Sequence, residues 1–183
     1  MSSDGDLAVG ILFGSRSGDI VIFRHASGAG AVMTTPLSGE YGDGYDPRGN
    51  LFADGFSGSH GSARFELVEL PEGGKTFRTI TTSNRVKAPG SVQWDGKYVT
   101  VLDQDKNEMY QYTISGTKAI LKGVVRLRGG GSCAQTWIAT HIVYCADAAK
   151  DQGEVFKYPA GGSAIAVLRG HFDLPLGVTA AEI

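Results

Sequence analysis

The chain alternates along its length between short apolar segments and short polar segments that contain glycine. Residues 155–168 show the pattern clearly, with an apolar segment, a turn at Gly161-Gly162 and a second apolar segment. Residues 67–80 align with this stretch without a gap and place Gly73-Gly74 at the same turn. Apolar segments of this length joined by glycine turns predict antiparallel hairpins. The pattern therefore predicts an all-β fold built from a repeated two-strand unit.

The repeat has a regular period. Aligning all copies places Phe23, Leu70, Tyr112 and Tyr158 at one equivalent position, with spacings of 47, 42 and 46 residues. A second marker is the acidic residue that closes an apolar run, at Asp54, Asp103 and Asp147. A period of roughly 40 to 50 residues that carries only strand patterns indicates a β-propeller with four strands in each blade.

One domain of about four blades accounts for residues 1–183. The predicted blades are residues 7–36, 40–82, 89–128 and 131–170. The first blade has residues for only three strands, and residues 177–183 are predicted to supply its missing innermost strand. Two architectures follow from this pattern. Either the C-terminal strand closes a four-bladed ring, or the chain is an open arc of a larger propeller.

Composition narrows the classes of function. The chain has 183 residues, of which 42% are hydrophobic and 20% are charged, as in soluble globular domains. Its net charge is −2 and its Lys and Arg residues are scattered, so a nucleic-acid partner is not expected. No apolar run has the length of a membrane span. Residues 7–13 are too short, and too close to two aspartates, to predict a signal peptide.

Cys133 and Cys145 lie on segments that the pattern predicts to be adjacent antiparallel strands, nearly opposite each other. A cross-strand disulfide requires such closeness. Two buried thiols that pack as small apolar side chains would fit the same positions. Both interpretations stay open at the level of the sequence.

The segment Asp46-Pro47-Arg48-Gly49-Asn50-Leu51-Phe52-Ala53-Asp54 resembles the blade motif of NHL-repeat and gluconolactonase-like propellers. Residues 89–99 and 175–177 carry looser copies. The resemblance covers nearly the whole chain, and it implies a bacterial-type propeller fold that usually has about six blades. Many members of these families are exported, so the resemblance favours an extracytoplasmic location if this chain is part of a longer protein.

The resemblance also implies a candidate metal site. Lactonase-like propellers hold a divalent cation on the central axis through side chains of the innermost strands. The corresponding positions here are Asp43, Gln93, Gln135 and Glu182. Their oxygen ligands would suit Ca²⁺. Asp46 and Asp95 lie nearby, but turn geometry alone explains an aspartate at those positions.

Four aromatic residues fall on or beside the predicted innermost strands: Tyr41, Tyr45, Trp94 and Trp137. They could line a ligand-binding mouth together with Asp43, Gln93 and Gln135. Packing between blades is the favoured interpretation, since large aromatic side chains dominate protein cores.

Three hypotheses of function follow. The first is a non-enzymatic binding module for an unknown protein or small molecule, because no nucleophile elbow, zinc-binding helix motif or phosphate loop occurs in the sequence. This hypothesis needs no cofactor. The second is a metal-dependent, lactonase-like hydrolase. The third is a piece of a propeller that self-associates through open sheet edges.

Overall fold

The computed structural model describes residues 1–59, 62–129 and 131–180. In these ranges the chain forms fifteen β-strands and one short 3-10 turn at Arg24–Ala26. No helix in the described ranges is long and apolar enough to cross a membrane. The predicted all-β class is confirmed.

The strands group into four blades. Blade 1 contains β1 (Leu7–Gly10), β2 (Ile20–Phe23) and β3 (Ala31–Met33). Blade 2 contains β4 (Gly39–Tyr45), β5 (Leu51–Ser57), β6 (Arg64–Leu70) and β7 (Arg78–Thr82). Blade 3 contains β8 (Val92–Trp94), β9 (Val99–Asp103), β10 (Glu108–Ser115) and β11 (Lys118–Arg128). Blade 4 contains β12 (Cys133–Ala139), β13 (Ile142–Asp147), β14 (Gln152–Lys157) and β15 (Gly161–Leu168).

Strand register explains the repeat that the sequence shows. Leu70 pairs with Leu51 in blade 2, and Tyr112 pairs with Val99 in blade 3. Each marker thus lies on the third strand of its blade, opposite the start of the second strand. Equivalent positions in the sequence are therefore equivalent positions in successive blades of a β-propeller.

The repeated acids have a structural role. Asp54, Asp103 and Asp147 are fully buried, and each accepts a backbone hydrogen bond from the segment that leads into an innermost strand. The donors are the amides of Gly90 at 3.0 Å, Lys87 at 2.9 Å and Ser132 at 3.0 Å, respectively. A buried amide without a partner is costly, so an acid that accepts its hydrogen bond fixes the path of the chain between strands.

Blades 2, 3 and 4 are joined along their outer strands, and all four blades pack through apolar seams. The end of β7 pairs in parallel with the start of β11, through Thr81 and Lys118. The end of β11 pairs in the same way with the start of β15, through Leu127 and Gly162. The fully buried residues that fill the seams between blades include Leu51 and Val68, then Leu67 and Tyr112, then Leu102 and Phe156.

Blade 1 and the C-terminal tail differ from the closed ring. Strand β1 ends at Gly10, and residues 177–180 form no strand. The described tail follows blade 4 instead, where the amide of Leu174 donates to Asp151 Oδ1 at 2.9 Å. Residues 181–183 lie outside the described residues. Among the described residues no strand pairing joins blade 1 to blade 4, so this part of the chain is a propeller arc.

Cys133 and Cys145 form a disulfide, with their Cα atoms 5.4 Å apart. The bond joins β12 to β13, which pair as the sequence predicts. It lies in the seam between blades 3 and 4, where both cysteines are buried in the apolar cluster.

Candidate functional site

The innermost strands β4 and β8 approach so closely that only glycine fits on one face of β4. A Cβ atom at Gly42 would lie 2.7 Å from the carbonyl oxygen of Gly90, and one at Gly44 would lie 2.5 Å from that of Val92. Real Cβ atoms are not found at such distances. The inner edge of the propeller between blades 2 and 3 is therefore closed by backbone packing.

Strands β8 and β12 are joined by side chains. Gln93 donates through Nε2 to the carbonyl of Ile138 at 2.8 Å, and its Oε1 accepts from the amide of the same residue at 2.7 Å. Ser91 Oγ lies 2.7 Å from Thr136 Oγ1 and also accepts from the Thr136 amide. Gln93 is thus committed to holding two blades together, and its amide group has no remaining role as a metal ligand.

The side chain of Gln135 is also hydrogen-bonded to the backbone. Its Nε2 donates to the carbonyl of Tyr41 at 3.1 Å, which connects blade 4 to blade 2. The Tyr41 ring packs edge-on against Phe56, with ring centroids 5.5 Å apart. Trp137 is 37% exposed and pairs with Tyr144, on the side of blade 4 that faces away from blade 3. The structure therefore does not gather the predicted mouth residues around one opening.

Asp43 and Tyr45 lie on the face of β4 that meets blade 1, together with Glu40, which the sequence analysis did not select. Burial, together with the nearby carboxylates of Asp43 and Asp54, raises the pKa of Glu40 to about 9. Burial also raises the pKa of Asp43 to about 6, although the Gly10 amide donates to it. Glu40 is therefore protonated at neutral pH, whereas Asp43 is mostly ionised.

This group of acids does not make a metal centre. Burial raises the pKa of Asp54 to about 8, but its carboxylate points to the opposite face of blade 2, towards Gly90. Among the described residues no cluster of three or more metal-ligating side chains is present. Glu182 lies outside the described residues. The described positions that the resemblance suggested, Asp43, Gln93 and Gln135, do not fit a cation site.

The seam between blades 2 and 3 opens into a cleft of about 540 Å³, within the range of small-molecule sites. Trp94 and Ile114 are its half-buried apolar lining residues, whereas Phe52, Val99 and Tyr112 in the lining are buried. Trp94 is half-buried, and its indole N–H makes no hydrogen bond within the described residues. Of the predicted ligand-binding residues, only Trp94 lines this cleft.

Two carboxylates in the cleft wall already accept hydrogen bonds from other groups of the protein. Glu69 is buried and accepts from Arg78 Nε at 2.8 Å, which neutralises both side chains. Asp46 accepts from the amides of Arg48 and Asn50, each at 2.9 Å, and from Asn50 Nδ2 at 2.8 Å. These bonds hold the turn between β4 and β5 in a fixed shape.

The two remaining cations of the cleft, Arg48 and Lys97, are exposed and make no ion pair within the described part of the chain. Lys97 Nζ lies 5.0 Å from the centre of the Tyr98 ring. The lining contains three cations and two carboxylates, and the charge of one cation, Arg78, is neutralised by its ion pair with Glu69. The cleft presents positive charge above an apolar surface.

Sequence reasoning missed Arg48 and Lys97 as site residues, although a signal for them exists. Each lies two residues after an aspartate, Asp46 or Asp95, whose carboxylate accepts its backbone amide at 2.9 or 2.8 Å. Both turns connect the first and second strands of their blades, so adjacent blades bring them to the same end of one seam. Equivalent turns in a repeat can therefore be used to locate residues that flank a cleft.

Comparison with known proteins shows the fold. A Bacteroides uniformis protein assigned as a 6-phosphogluconolactonase matches with a TM-score of 0.60 and 12% identity, over 92% of this chain and 55% of that one. The nidogen/laminin complex matches with a TM-score of 0.61 and 14% identity, over 84% and 56%. BamB from Moraxella catarrhalis matches with a TM-score of 0.51 and 16% identity, over 91% and 46%.

These likenesses support a propeller-type fold, and the chain spans about half the length of the structures that it matches. Their low identities carry no information on activity. No family model matches the sequence, so membership of the NHL-repeat family is not confirmed. No curated protein matches it by sequence.

Proposed function

We propose that this chain is a non-enzymatic propeller module that binds a small anionic ligand with a carbon body, such as a phosphorylated sugar acid, in the cleft between blades 2 and 3. The observation that supports the proposal most strongly is the combination of the exposed cations Arg48 and Lys97 with the half-buried indole of Trp94. Exposed cations that make no ion pair in the described structure, beside a half-buried indole, favour a ligand that carries both a negative charge and a carbon body that can pack on the indole.

The local chemistry specifies how such a ligand would bind. Arg48 offers a planar set of donors that suits phosphate or carboxylate, and Lys97 offers a second, more compact charge. The indole of Trp94 provides a flat apolar surface and an N–H donor. The acids Glu69 and Asp46 would not repel the ligand strongly, because each is already hydrogen-bonded within the protein.

A phosphorylated sugar acid is a suitable probe of this class. One structural neighbour is assigned as a 6-phosphogluconolactonase, so 6-phosphogluconate combines a chemistry associated with this fold and the charge that the cleft requires. Gluconate, which lacks the phosphate, and inorganic phosphate, which lacks the carbon chain, separate the two contributions.

Isothermal titration calorimetry with these three compounds tests the proposal. We expect 6-phosphogluconate to bind more tightly than gluconate or phosphate, and the double variant Arg48→Ala/Lys97→Ala to lose at least about tenfold in affinity. Lys118→Ala, a cation on the outer strand of blade 3, is the matched control. Equal binding of 6-phosphogluconate by the double variant would contradict the proposal.

A lactonase-like hydrolase is the second candidate. The structural neighbour assigned as a lactonase favours it, as do Glu40 and Asp43, which differ in protonation at neutral pH. A neutral acid beside an ionised carboxylate is a common acid–base arrangement. In this candidate the carboxyls of Glu40 and Asp43 would carry the acid–base chemistry.

Hydrolysis of 6-phosphogluconolactone, followed with and without added Ca²⁺, tests the second candidate. It predicts a rate above the spontaneous one that is lost in Asp43→Asn and retained in Arg48→Ala/Lys97→Ala with saturating substrate. A rate equal to the buffer control under both conditions would exclude it.

We also propose that the protein functions in an oxidising compartment. The disulfide between Cys133 and Cys145 supports this location, because disulfides persist in secreted and periplasmic proteins and are rare in the cytosol. Alkylation of the protein isolated from its host, followed by mass spectrometry, should show both cysteines protected. Free thiols at both positions would contradict the proposal.

A further inference from the structure

The seam between blades 1 and 2 contains a pocket of about 100 Å³, which we call the blade 1–2 pocket. Its lining repeats that of the cleft. Tyr45 pairs with Leu51, Leu51 pairs with Leu70, and all three residues line the blade 1–2 pocket. The equivalent strand positions of the next blade line the cleft: Trp94, Val99 and Tyr112. The pocket and the cleft are therefore equivalent places in successive seams, and Arg48 lines both.

The blade 1–2 pocket contains a buried polar atom that the protein does not use. The hydroxyl of Tyr45 is buried and has no hydrogen-bond partner among the described residues. Tyr158 shows the contrasting case in the seam between blades 3 and 4. Its hydroxyl donates to Asp95 Oδ2 and accepts from Gln111 Nε2 at 2.9 Å. A buried hydroxyl without a partner is costly, so a ligand atom that pairs with Tyr45 gains a hydrogen bond that the protein alone does not make.

The hydroxyl of Tyr45 is a donor across the neutral pH range. Burial raises its pKa to about 12, and the carboxylates of Asp6 and Asp43 act in the same direction. Both oxygens of Asp6 already accept hydrogen bonds, from the His25 amide at 2.9 Å and from the Arg24 guanidinium. The group that fits beside Tyr45 is therefore a ligand oxygen that accepts a hydrogen bond.

The charges of the blade 1–2 pocket differ from those of the cleft. Its lining contains two cations and three carboxylates: Arg24, Arg48, Asp4, Asp6 and Glu72. Arg24 is ion-paired with Asp6, so the charge of Arg48 is set against two further carboxylates. Unlike the cleft, this pocket has no excess of positive charge to attract an anion. A lining that offers both donors and acceptors favours a neutral ligand with several hydroxyls, because each hydroxyl can donate and accept.

Hydrogen bonds within the protein hold the walls of the blade 1–2 pocket. The amide of Glu72 donates to Asn50 Oδ1 at 3.0 Å, which joins the two turns of blade 2 that border the pocket. On the side of blade 1, the amide of Asp6 donates to Ser2 Oγ at 2.9 Å. A ligand does not have to order these segments, and binding to a pre-formed pocket costs less entropy.

We propose that the blade 1–2 pocket is a second ligand site, which takes a small neutral polyol with one of its hydroxyl oxygens bonded to the hydroxyl of Tyr45. Its volume of about 100 Å³ exceeds what one water molecule needs and lies well below the 540 Å³ of the cleft. A polyol of about four carbons suits this volume. The inference is independent of the proposed function, since Arg48 is the only lining residue that the two places share.

Amide NMR spectra recorded during titration with erythritol, a four-carbon polyol, test the site. The amides of Gly73 and Gly74, which line the blade 1–2 pocket, should show saturable shift changes, and that of Gly116, which lines the cleft, should not. Butane-1,4-diol has the same carbon chain without the two inner hydroxyls and should bind at least about tenfold more weakly. No saturable change up to about 100 mM erythritol, or changes centred on the cleft, would overturn the proposal.

Tyr45→Phe removes the hydroxyl and should raise the dissociation constant for erythritol at least about tenfold. Its melting temperature should not fall, because the deleted hydroxyl has no partner in the described structure. Tyr158→Phe is the matched control: it deletes a hydroxyl with two partners and should lower the melting temperature while erythritol binding is retained.

Lys97→Ala separates the two places. It changes the cleft alone, so it should weaken binding of 6-phosphogluconate and leave the dissociation constant for erythritol unchanged. Erythritol binding that is unaffected by Tyr45→Phe, or lost in Lys97→Ala, would overturn the second site. Failure of 6-phosphogluconate to bind would contradict only the proposed function.

Discussion

The inner edge of the propeller and the cleft between blades 2 and 3 use polar residues in opposite ways. At the inner edge, the side-chain amides of Gln93 and Gln135 form hydrogen bonds with backbone atoms of other blades. In the cleft, Arg48 and Lys97 make no ion pair within the described residues. The glutamines close to the axis therefore hold the blades together, whereas the two exposed cations on the turns keep their charged groups free of ion pairs.

The comparison leads to an experimental distinction. Changes at the inner edge should lower stability and leave ligand binding intact in the protein that remains folded. Changes in the cleft should weaken ligand binding and leave the free energy of unfolding nearly unchanged. The following predictions run from the largest expected effect to the smallest.

Stability should fall as the pH rises from 5 to 8, because burial raises the pKa of Glu40 to about 9 and that of Asp54 to about 8. The folded pKa of Glu40, about 9, lies above its ordinary value of 4.5, so only the unfolded chain releases this proton across the window. One such group lowers the free energy of unfolding by about 1.4 kcal/mol per pH unit. Urea denaturation at several pH values measures the slope, which Glu40→Gln should reduce. An unchanged slope in that variant would contradict the role of Glu40.

Removal of the disulfide by Cys133→Ser/Cys145→Ser should lower the free energy of unfolding by about 3 kcal/mol. The bond closes a short loop between adjacent strands of the blade that carries Gln135. Chemical denaturation of the oxidised wild type, the reduced wild type and the double variant measures the effect. The reduced wild type should behave like the variant, and equal stability of all three would show that the bond contributes nothing.

Gln93→Ala should lower the free energy of unfolding by about 2 kcal/mol, because it leaves the amide and the carbonyl of Ile138 without their partners. Gln135→Ala removes one hydrogen bond, from Nε2 to the Tyr41 carbonyl, and should cost about half as much. Thermal denaturation of both variants provides the comparison. A larger loss for Gln135→Ala would contradict the assignment of Gln93 as the main link between blades 3 and 4.

Arg48→Ala should change stability by less than about 0.5 kcal/mol, since its exposed side chain makes no ion pair in the described structure. The same variant should weaken binding of 6-phosphogluconate, and the difference should shrink at high salt because an exposed charge is screened. Calorimetry at two salt concentrations measures both effects. A stability loss above 1 kcal/mol would place Arg48 among the structural residues.

The sequence predicted the architecture well because blade repeats are local patterns. The spacing of Leu70, Tyr112 and Tyr158 reflects strand register, and the pairing of β12 with β13 brings the two cysteines together as expected. The C-terminal strand was the exception. Gly177 and its neighbours follow blade 4, a path that depends on contacts far apart in the chain.

The candidate site was much less predictable. Of the residues proposed from the sequence, Trp94 lines the cleft, while Tyr41, Gln93 and Gln135 contribute to contacts between blades. The sequence does not show whether a glutamine amide will meet a ligand or a backbone carbonyl. That outcome depends on the distance between blades, which is set by the whole propeller.

The fluorescence of Trp94 during titration with 6-phosphogluconate tests the cleft most directly. The chain has two tryptophans, so Trp137→Phe leaves Trp94 as the only indole and Trp94→Phe leaves Trp137. We predict a saturable change in emission for Trp137→Phe, with the dissociation constant found by calorimetry, and no change for Trp94→Phe. A saturable change that follows Trp137, or none in either variant, would contradict a ligand site in the cleft between blades 2 and 3.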